Sequence, residues 1–98
     1  MAIQLMKIIL MLNKENRFCR VCGFEQEDLP WGEDGNTPSF AICDCCGVEF
    51  GYEDTLLESV HTYREKWLEK KANWSNTQYK PQNWDLAEQL KKIPEEYL

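Results

Sequence analysis

The chain has 98 residues, 11 of them lysine or arginine against 17 aspartate or glutamate, with one histidine and a formal net charge of −6 at pH 7. A chain this short buries a modest core and often needs a staple; its four tryptophans, four tyrosines and five cysteines exclude a disordered chain and supply both surface to bury and a means of fastening it. The acid excess argues against nucleic-acid binding, which needs a basic stripe to neutralise phosphates, and the sequence contains no Gly-rich phosphate loop, serine-nucleophile signature or H-E-x-x-H motif.

The chain opens on "MAIQLMKIILML", an apolar stretch interrupted by Lys7, with no basic region before it and no small-residue cleavage site after it. It is too short to span a membrane and does not read as a signal peptide. Residues 1–12 are expected to form a strand on the core, or to precede a true start at Met6 or Met11. Residues 13–98 are expected to form a single domain. Lacking a secretion signal, the chain is expected in the reducing cytoplasm, where an odd number of cysteines in CxxC pairs reads as metal ligands before disulfides.

Two such pairs follow: "CRVCG" from Cys19 and "CDCCG" from Cys43, giving C-x2-C-x20-C-x2-C with a glycine after each pair. Two thiolates in a tight turn whose next residue is glycine make a metal knuckle, and two knuckles complete a tetrahedral four-thiolate shell. Cys19, Cys22, Cys43 and Cys46 are therefore the expected ligands of one zinc ion. Iron accepts the same ligands and is the second choice. A redox dithiol is disfavoured because neither CxxC opens a helix. Aligning the knuckles on their glycines leaves Cys45 as the spare, either a small buried residue or a reactive thiol.

Between the knuckles, "EDLPWGEDGNTPSF" reads as a structured turn region anchored by Trp31. "SFAIC" and "VEFGYE" read as short antiparallel strands entering and leaving the second knuckle, since Val48, Phe50 and Tyr52 alternate with other residues. Thr55 and Glu58 suggest a capping box opening a helix from about Thr55 to Ala72, with Leu56, Val60, Tyr63 and Trp67 on one stripe widened by Leu57, Arg64 and Leu68. A shorter helix is expected near Asp85 to Lys92, with Leu86, Leu90 and Ile93 on one side and Pro94 at its end. The expected class is α+β, a zinc-ribbon or rubredoxin-like knuckle subdomain followed by one long and one short helix.

Charge is zoned. Residues 23–58 carry ten acids and no lysine or arginine, whereas the rest is balanced or slightly basic, and a metal held by four thiolates adds a formal charge of about −2. Such a surface suits a basic protein partner, with Glu33, Asp34, Glu53, Asp54 and Trp31 as expected contacts and Phe40, Phe50 and Tyr52 as further apolar anchors or core. Arg64, Lys66, Lys70 and Lys71 alternate with Glu65 and Glu69 and read as a solvated helix face. His61 reads as an ordinary helical residue. With four cysteines filling the shell no open metal position remains, and catalysis is not expected.

From Phe18 to Tyr52 the chain resembles rubredoxins, which hold one iron in two CxxCG knuckles. It departs from them in its long acidic insertion, in Asp44 where proline is usual and in its helical extension. That resemblance implies an electron carrier. Across Phe18 to Leu98, through "PWGEDGNTPSFAICDCCGVEFGYED", "YREKWLEKKANW", "KPQNWDLAEQL" and "IPEEYL", the chain resembles a family of small bacterial cysteine-rich proteins whose second knuckle is typically CPCCG. Related cysteine-rich families are regarded as immunity partners in bacterial toxin systems, so this resemblance implies a non-catalytic partner of a basic toxin.

Overall fold

Two segments of equal length, 17–26 and 41–50, carry the same set of hydrogen bonds. The computed structural model describes residues 16–98, and the apolar segment 1–12 lies outside them. In the first segment the Cys19 N–H donates to Phe24 O (3.0 Å), Gly23 N–H to Cys19 O (2.9 Å) and Gln26 N–H to Arg17 O (2.8 Å). In the second, Cys43 N–H donates to Val48 O, Gly47 N–H to Cys43 O and Phe50 N–H to Ala41 O, each at 2.9 Å. One antiparallel bridge closes each, Phe18 with Glu25 and Ile42 with Glu49. Each knuckle is thus a hairpin whose turn carries both cysteines.

The ladders stop there. Named strands are absent among the described residues, so the expected strands "SFAIC" and "VEFGYE" reduce to this one bridge, and the strand part of the expected α+β class is present only as these two hairpins. The backbone gives the reason: Phe40 has φ 61° and Gly51 φ 98°, both outside the extended region a ladder needs. The Tyr52 N–H turns back to Glu49 O (3.1 Å), so Tyr52 leaves the buried alternation of Val48 and Phe50 and stands 75% exposed.

Helix α1 spans Leu57–Glu69, shorter than expected at both ends. Thr55 does not cap it: its hydroxyl donates to Gly51 O (3.3 Å), and Leu56 holds the N-cap position without a side-chain bond. At the other end Lys71 (φ 63°) and Ala72 (φ 51°) are left-handed, and their N–H groups return to Leu68 O and Trp67 O at 2.9 Å. That is a Schellman ending built without glycine. Val60 and Trp67 are buried, but Leu56, Leu57 and Leu68 are exposed. Leu56 precedes the first turn, and Leu68 lies about 80° around the helix from Val60 at 3.6 residues per turn, so the buried stripe is narrower than the sequence suggests.

Helix α2, Leu86–Leu90, is capped by Asp85, whose carboxylate accepts from the Glu88 N–H (3.2 Å). Tight returns of Lys92 N–H to Gln89 O and Ile93 N–H to Leu90 O end it, short of the expected Lys92. Two 3-10 turns, Thr77–Tyr79 and Glu95–Tyr97, complete the described elements. The core gathers the five cysteines with Val21, Val48, Phe50, Val60, Trp67, Ala72 and Trp74. Trp74 lies edge-to-face between Phe24 (5.0 Å) and Trp84 (5.5 Å), and such pairs add about 0.5–1.5 kcal/mol each beyond burial.

The turn region is anchored where the sequence places Trp31. Its ring is buried and its Nε1–H donates to Asp54 Oδ2 (2.8 Å). The backbone closes around it through Thr37 N–H to Trp31 O (3.0 Å) and Ser39 N–H to Pro30 O (2.9 Å). Asp34 caps the tip, accepting from Asn36 N–H (2.8 Å) and Thr37 Oγ1 (3.0 Å); these bonds, led by that from Asn36, hold its carboxyl below the usual range.

Candidate metal centre

The two hairpins place Cys19, Cys22, Cys43 and Cys46 so that their sulfurs all lie within 4.8 Å of one another. Cys19 Sγ is 3.7 Å from Cys46 Sγ, and Cys22 Sγ is 3.7 Å from Cys43 Sγ. A disulfide needs about 2.05 Å, and all five cysteines are free thiols. Four sulfurs bonded tetrahedrally to a central ion at about 2.3 Å stand roughly 3.75 Å apart, so the observed spacing fits zinc or iron. The cluster is compatible with metal binding, and its donor set is the soft one that both metals accept.

Turning a chain this sharply leaves the knuckle carbonyls outside any ladder, and buried carbonyls require partners. In the first knuckle they come from side chains of the two helices. Arg64 of α1 donates Nε–H to Val21 O (2.6 Å) and Nη2–H to Arg20 O (2.8 Å), and Gln89 of α2 donates to Cys22 O (3.1 Å). In the second knuckle two come from the backbone: Asn76 N–H to Asp44 O (2.8 Å) and Ser75 N–H to Cys45 O (2.9 Å). The Tyr63 hydroxyl donates to Cys46 O (3.1 Å). All six carbonyls are satisfied.

The knuckle glycines serve packing as well as conformation. Gly23 and Gly47 have φ 81° and 83°, where side-chain-bearing residues are strained. A Cβ on Gly23 would overlap the Gln89 carbonyl oxygen, whereas one on Gly47 would meet only the Ser75 side chain at 3.3 Å and Tyr63 Oη at 3.5 Å. What the first glycine makes room for is the backbone of α2.

Burial governs the charges. Desolvation pushes the thiols of Cys22 and Cys46 well up, and that of Cys19 up as well, while hydrogen bonds from Cys19 and Cys22 hold Cys43 low. Burial disfavours four coexisting thiolates here, and a bound metal cation would supply the compensating charge. Gln26 Nε2 donates to Cys43 Sγ (3.4 Å). Burial lowers Arg64 from its ordinary value, opposed by Cys19, Cys22 and Cys46; a guanidinium stays charged regardless. Arg64 is therefore a half-buried clasp and not part of a solvated face, although the exposed Lys66, Lys70 and Lys71 are. The sequence carried a signal for this, since Arg64 lies between Val60 and Trp67 on the buried stripe.

Cys45 stands outside the four-sulfur set. It is wholly buried, accepts from Gln89 Nε2 (3.3 Å), and occupies the position that Val21, also wholly buried, occupies in the first knuckle. That matches a small packing residue; a reactive thiol needs access that Cys45 lacks. Among the expected partner contacts, Glu33 and Asp34 are exposed and Glu53 is half-buried. Two are corrected. Asp54 is wholly buried, accepting from Gly51 N–H (2.7 Å) and the Trp31 indole, and Trp31 is buried with it. Arg20 stacks over Trp31 at 3.9 Å and Tyr97 at 4.3 Å, and donates to Asp54 O (3.2 Å), so this acid and this ring form an internal knot. Phe50 is core, while Phe40 and Tyr52 face solvent. His61 Nε2 lies 2.7 Å from Leu98 O, beside the C-terminal turn that Arg64 also holds through Tyr97 O (2.6 Å).

These features fit a small cysteine-rich metal-binding protein. The chain is similar to a protein of Bacillus subtilis. That relative, the uncharacterized protein YoaQ of strain 168, is 38% identical over a match covering 52% of this chain and 56% of YoaQ, so the chain spans little more than half of its length. No protein-family model matches the chain, and no solved structure matches it. No helix among the described residues is long and apolar enough to cross a membrane.

Proposed function

We propose that the chain is a non-catalytic interaction module in which one zinc ion, held by Cys19, Cys22, Cys43 and Cys46, staples two knuckles. In this reading an acidic surface including Glu33, Asp34 and Glu53 meets a basic protein partner, as in an immunity or adaptor protein. The observation that carries it is the closed sulfur cluster: four buried thiols in tetrahedral spacing leave a metal no open coordination position, which a catalytic zinc keeps. Structural zinc contributes folding free energy directly. The partner reading is supported by the absence of lysine and arginine from residues 23–58.

One observation favours a second reading, a rubredoxin-like iron electron carrier. Cys46 is 7% exposed where the other three cysteines are fully covered, and it borders a groove of about 780 Å³ beside Tyr63 and Trp67, so one residue of the cluster lies close to solvent. Metal content and an absorption spectrum, taken on protein purified at native level from its own host, separate the two. One zinc per chain without a visible band supports the structural reading. Iron with thiolate charge-transfer bands and reversible reduction would overturn it. Charge reversal at Glu33, Asp34 and Glu53 then tests the partner: abolished co-purification of a basic protein is expected, and unchanged binding would remove this surface from the interface.

A further inference from the structure

We propose that the outer edge of the second knuckle hairpin, at Ile42, is where an extended, basic segment of the partner adds as a strand. This rests on the acidic-surface reading above and assigns it a docking site. Ile42 faces Glu49 across the bridge without bonding to it, because the bonds on either side run from Cys43 N–H to Val48 O and from Phe50 N–H to Ala41 O. In that register the Ile42 N–H and C=O point away from the hairpin, and neither has a partner among the described residues. They form a short open edge, the feature that strand addition uses.

The side chains around the edge match one class of occupant. Cys43, Val48 and Phe50 turn to the core, which places Ile42 and Glu49 on the opposite face, with Phe40 two residues before Ile42 where the ladder ends. Phe40 is 64% and Ile42 59% exposed, so two large apolar side chains stand in water next to unpaired backbone. Phe40 is also held at φ 61°, which costs a bulky residue about 1–2 kcal/mol; a Cβ on Gly51 would come to 3.0 Å of its ring, so the ring lies across that glycine. Folding alone gains little from a strained, exposed phenylalanine. At the equivalent place in the first hairpin, Phe18 is half-buried, with the Lys92 ammonium 5.9 Å over its ring. Among the described residues the second edge has no such cover. The charged residue paired with it across the bridge is Glu49, on the same face as Ile42. An occupant with alternating apolar and basic residues would complement both the apolar pair and the Glu49 carboxylate.

The test uses metal-loaded, 15N-labelled full chain and two synthetic hexapeptides, one alternating lysine with valine and one alternating glutamate with valine. The lysine peptide is expected to bind and to slow hydrogen exchange at the Ile42 N–H, and the glutamate peptide is expected not to bind. Phe40→Asn should weaken binding by about tenfold, the loss typical of a contact residue, while leaving the melting temperature unchanged or higher, because asparagine tolerates the left-handed backbone. Lysine-peptide binding that leaves Ile42 exchange and the Phe40→Asn variant unaffected would overturn the edge while sparing the acidic-surface reading. Equal binding of both peptides with Ile42 protected would keep the edge but overturn the basic character of the occupant, and with it the charge argument. Failure of both peptides to bind would overturn the proposal.

Discussion

Replacing each knuckle glycine by alanine separates two costs that the hairpins share unequally. Gly23 and Gly47 have nearly the same backbone, φ 81° and 83°, so alanine incurs the same left-handed penalty at both, about 1–2 kcal/mol. The surroundings differ. At Gly47 the new methyl meets the end of the Ser75 side chain at 3.3 Å, which can give way. At Gly23 it overlaps the Gln89 carbonyl and stands 3.1 Å from Ile93 N and 3.2 Å from Gln89 C, all backbone. Helix α2 must retreat, and overpacking of that kind costs a further 1–3 kcal/mol or so. Gly47→Ala should therefore lose about 1–2 kcal/mol and Gly23→Ala about 2–5. At roughly 4–8 °C per kcal/mol for a domain of this size, the two metal-loaded variants should melt several degrees apart, with Gly23→Ala lower. Equal melting temperatures, or the reverse order, would refute the placement of α2 against the first knuckle.

Three more outcomes follow from the site. Cys45→Ser should retain one metal per chain, with at most about 1–2 kcal/mol lost, whereas Cys22→Ser and Cys46→Ser should yield metal-free, unfolded or insoluble protein; metal analysis with calorimetry distinguishes them, and metal loss in Cys45→Ser would show that the fifth cysteine is a ligand. Arg64→Lys should destabilise by about 2–4 kcal/mol, because one ammonium cannot serve the carbonyls of Arg20, Val21 and Tyr97 together; denaturant titration gives the loss, and faster amide exchange at Tyr97 would mark release of the C-terminal turn. Burial, reinforced by the Cys46 charge, raises the Tyr63 phenol from 10.0 to about 12. A raised value means that its contribution to stability is complete below pH 10 and is lost as pH climbs through about 12. Ultraviolet titration should show the Tyr63 transition late, and Tyr63→Phe should remove both that transition and its share of the alkaline stability loss.

Much of the site was legible because CxxCG is a local signal: spacing alone pairs the cysteines and singles out Cys45, and the structure brings those four sulfurs together. The strands were misread for an equally local reason. Alternation at Val48, Phe50 and Tyr52 says nothing of the positive φ at Phe40 and Gly51 that ends the ladder. The Thr55 box failed because Gly51 O is a competing acceptor across the turn, invisible in a helix-start pattern. The most instructive misreading concerns charge. Counting charges cannot tell Glu33, which faces water, from Asp54, which faces an indole, nor tell Lys66 from Arg64, two residues away and about 200° around the helix. Those distinctions are made by tertiary partners tens of residues away, such as Trp31 for Asp54 and Val21 for Arg64.

The knuckle carbonyls carry an implication for how this chain tolerates change. One clasp is written in side chains, Arg64 and Gln89, and each letter of it can be erased by a single codon. The other is written largely in main chain, at residues 75 and 76, where almost any non-proline residue presents the same N–H. A saturation scan scored on folding should therefore show two halves of one symmetric centre behaving unlike each other: sharp intolerance at Arg64 and Gln89, and near silence at Ser75. Sequence drift would blur the second half of the motif while the first stayed readable, although both halves hold their cysteines by the same number of bonds.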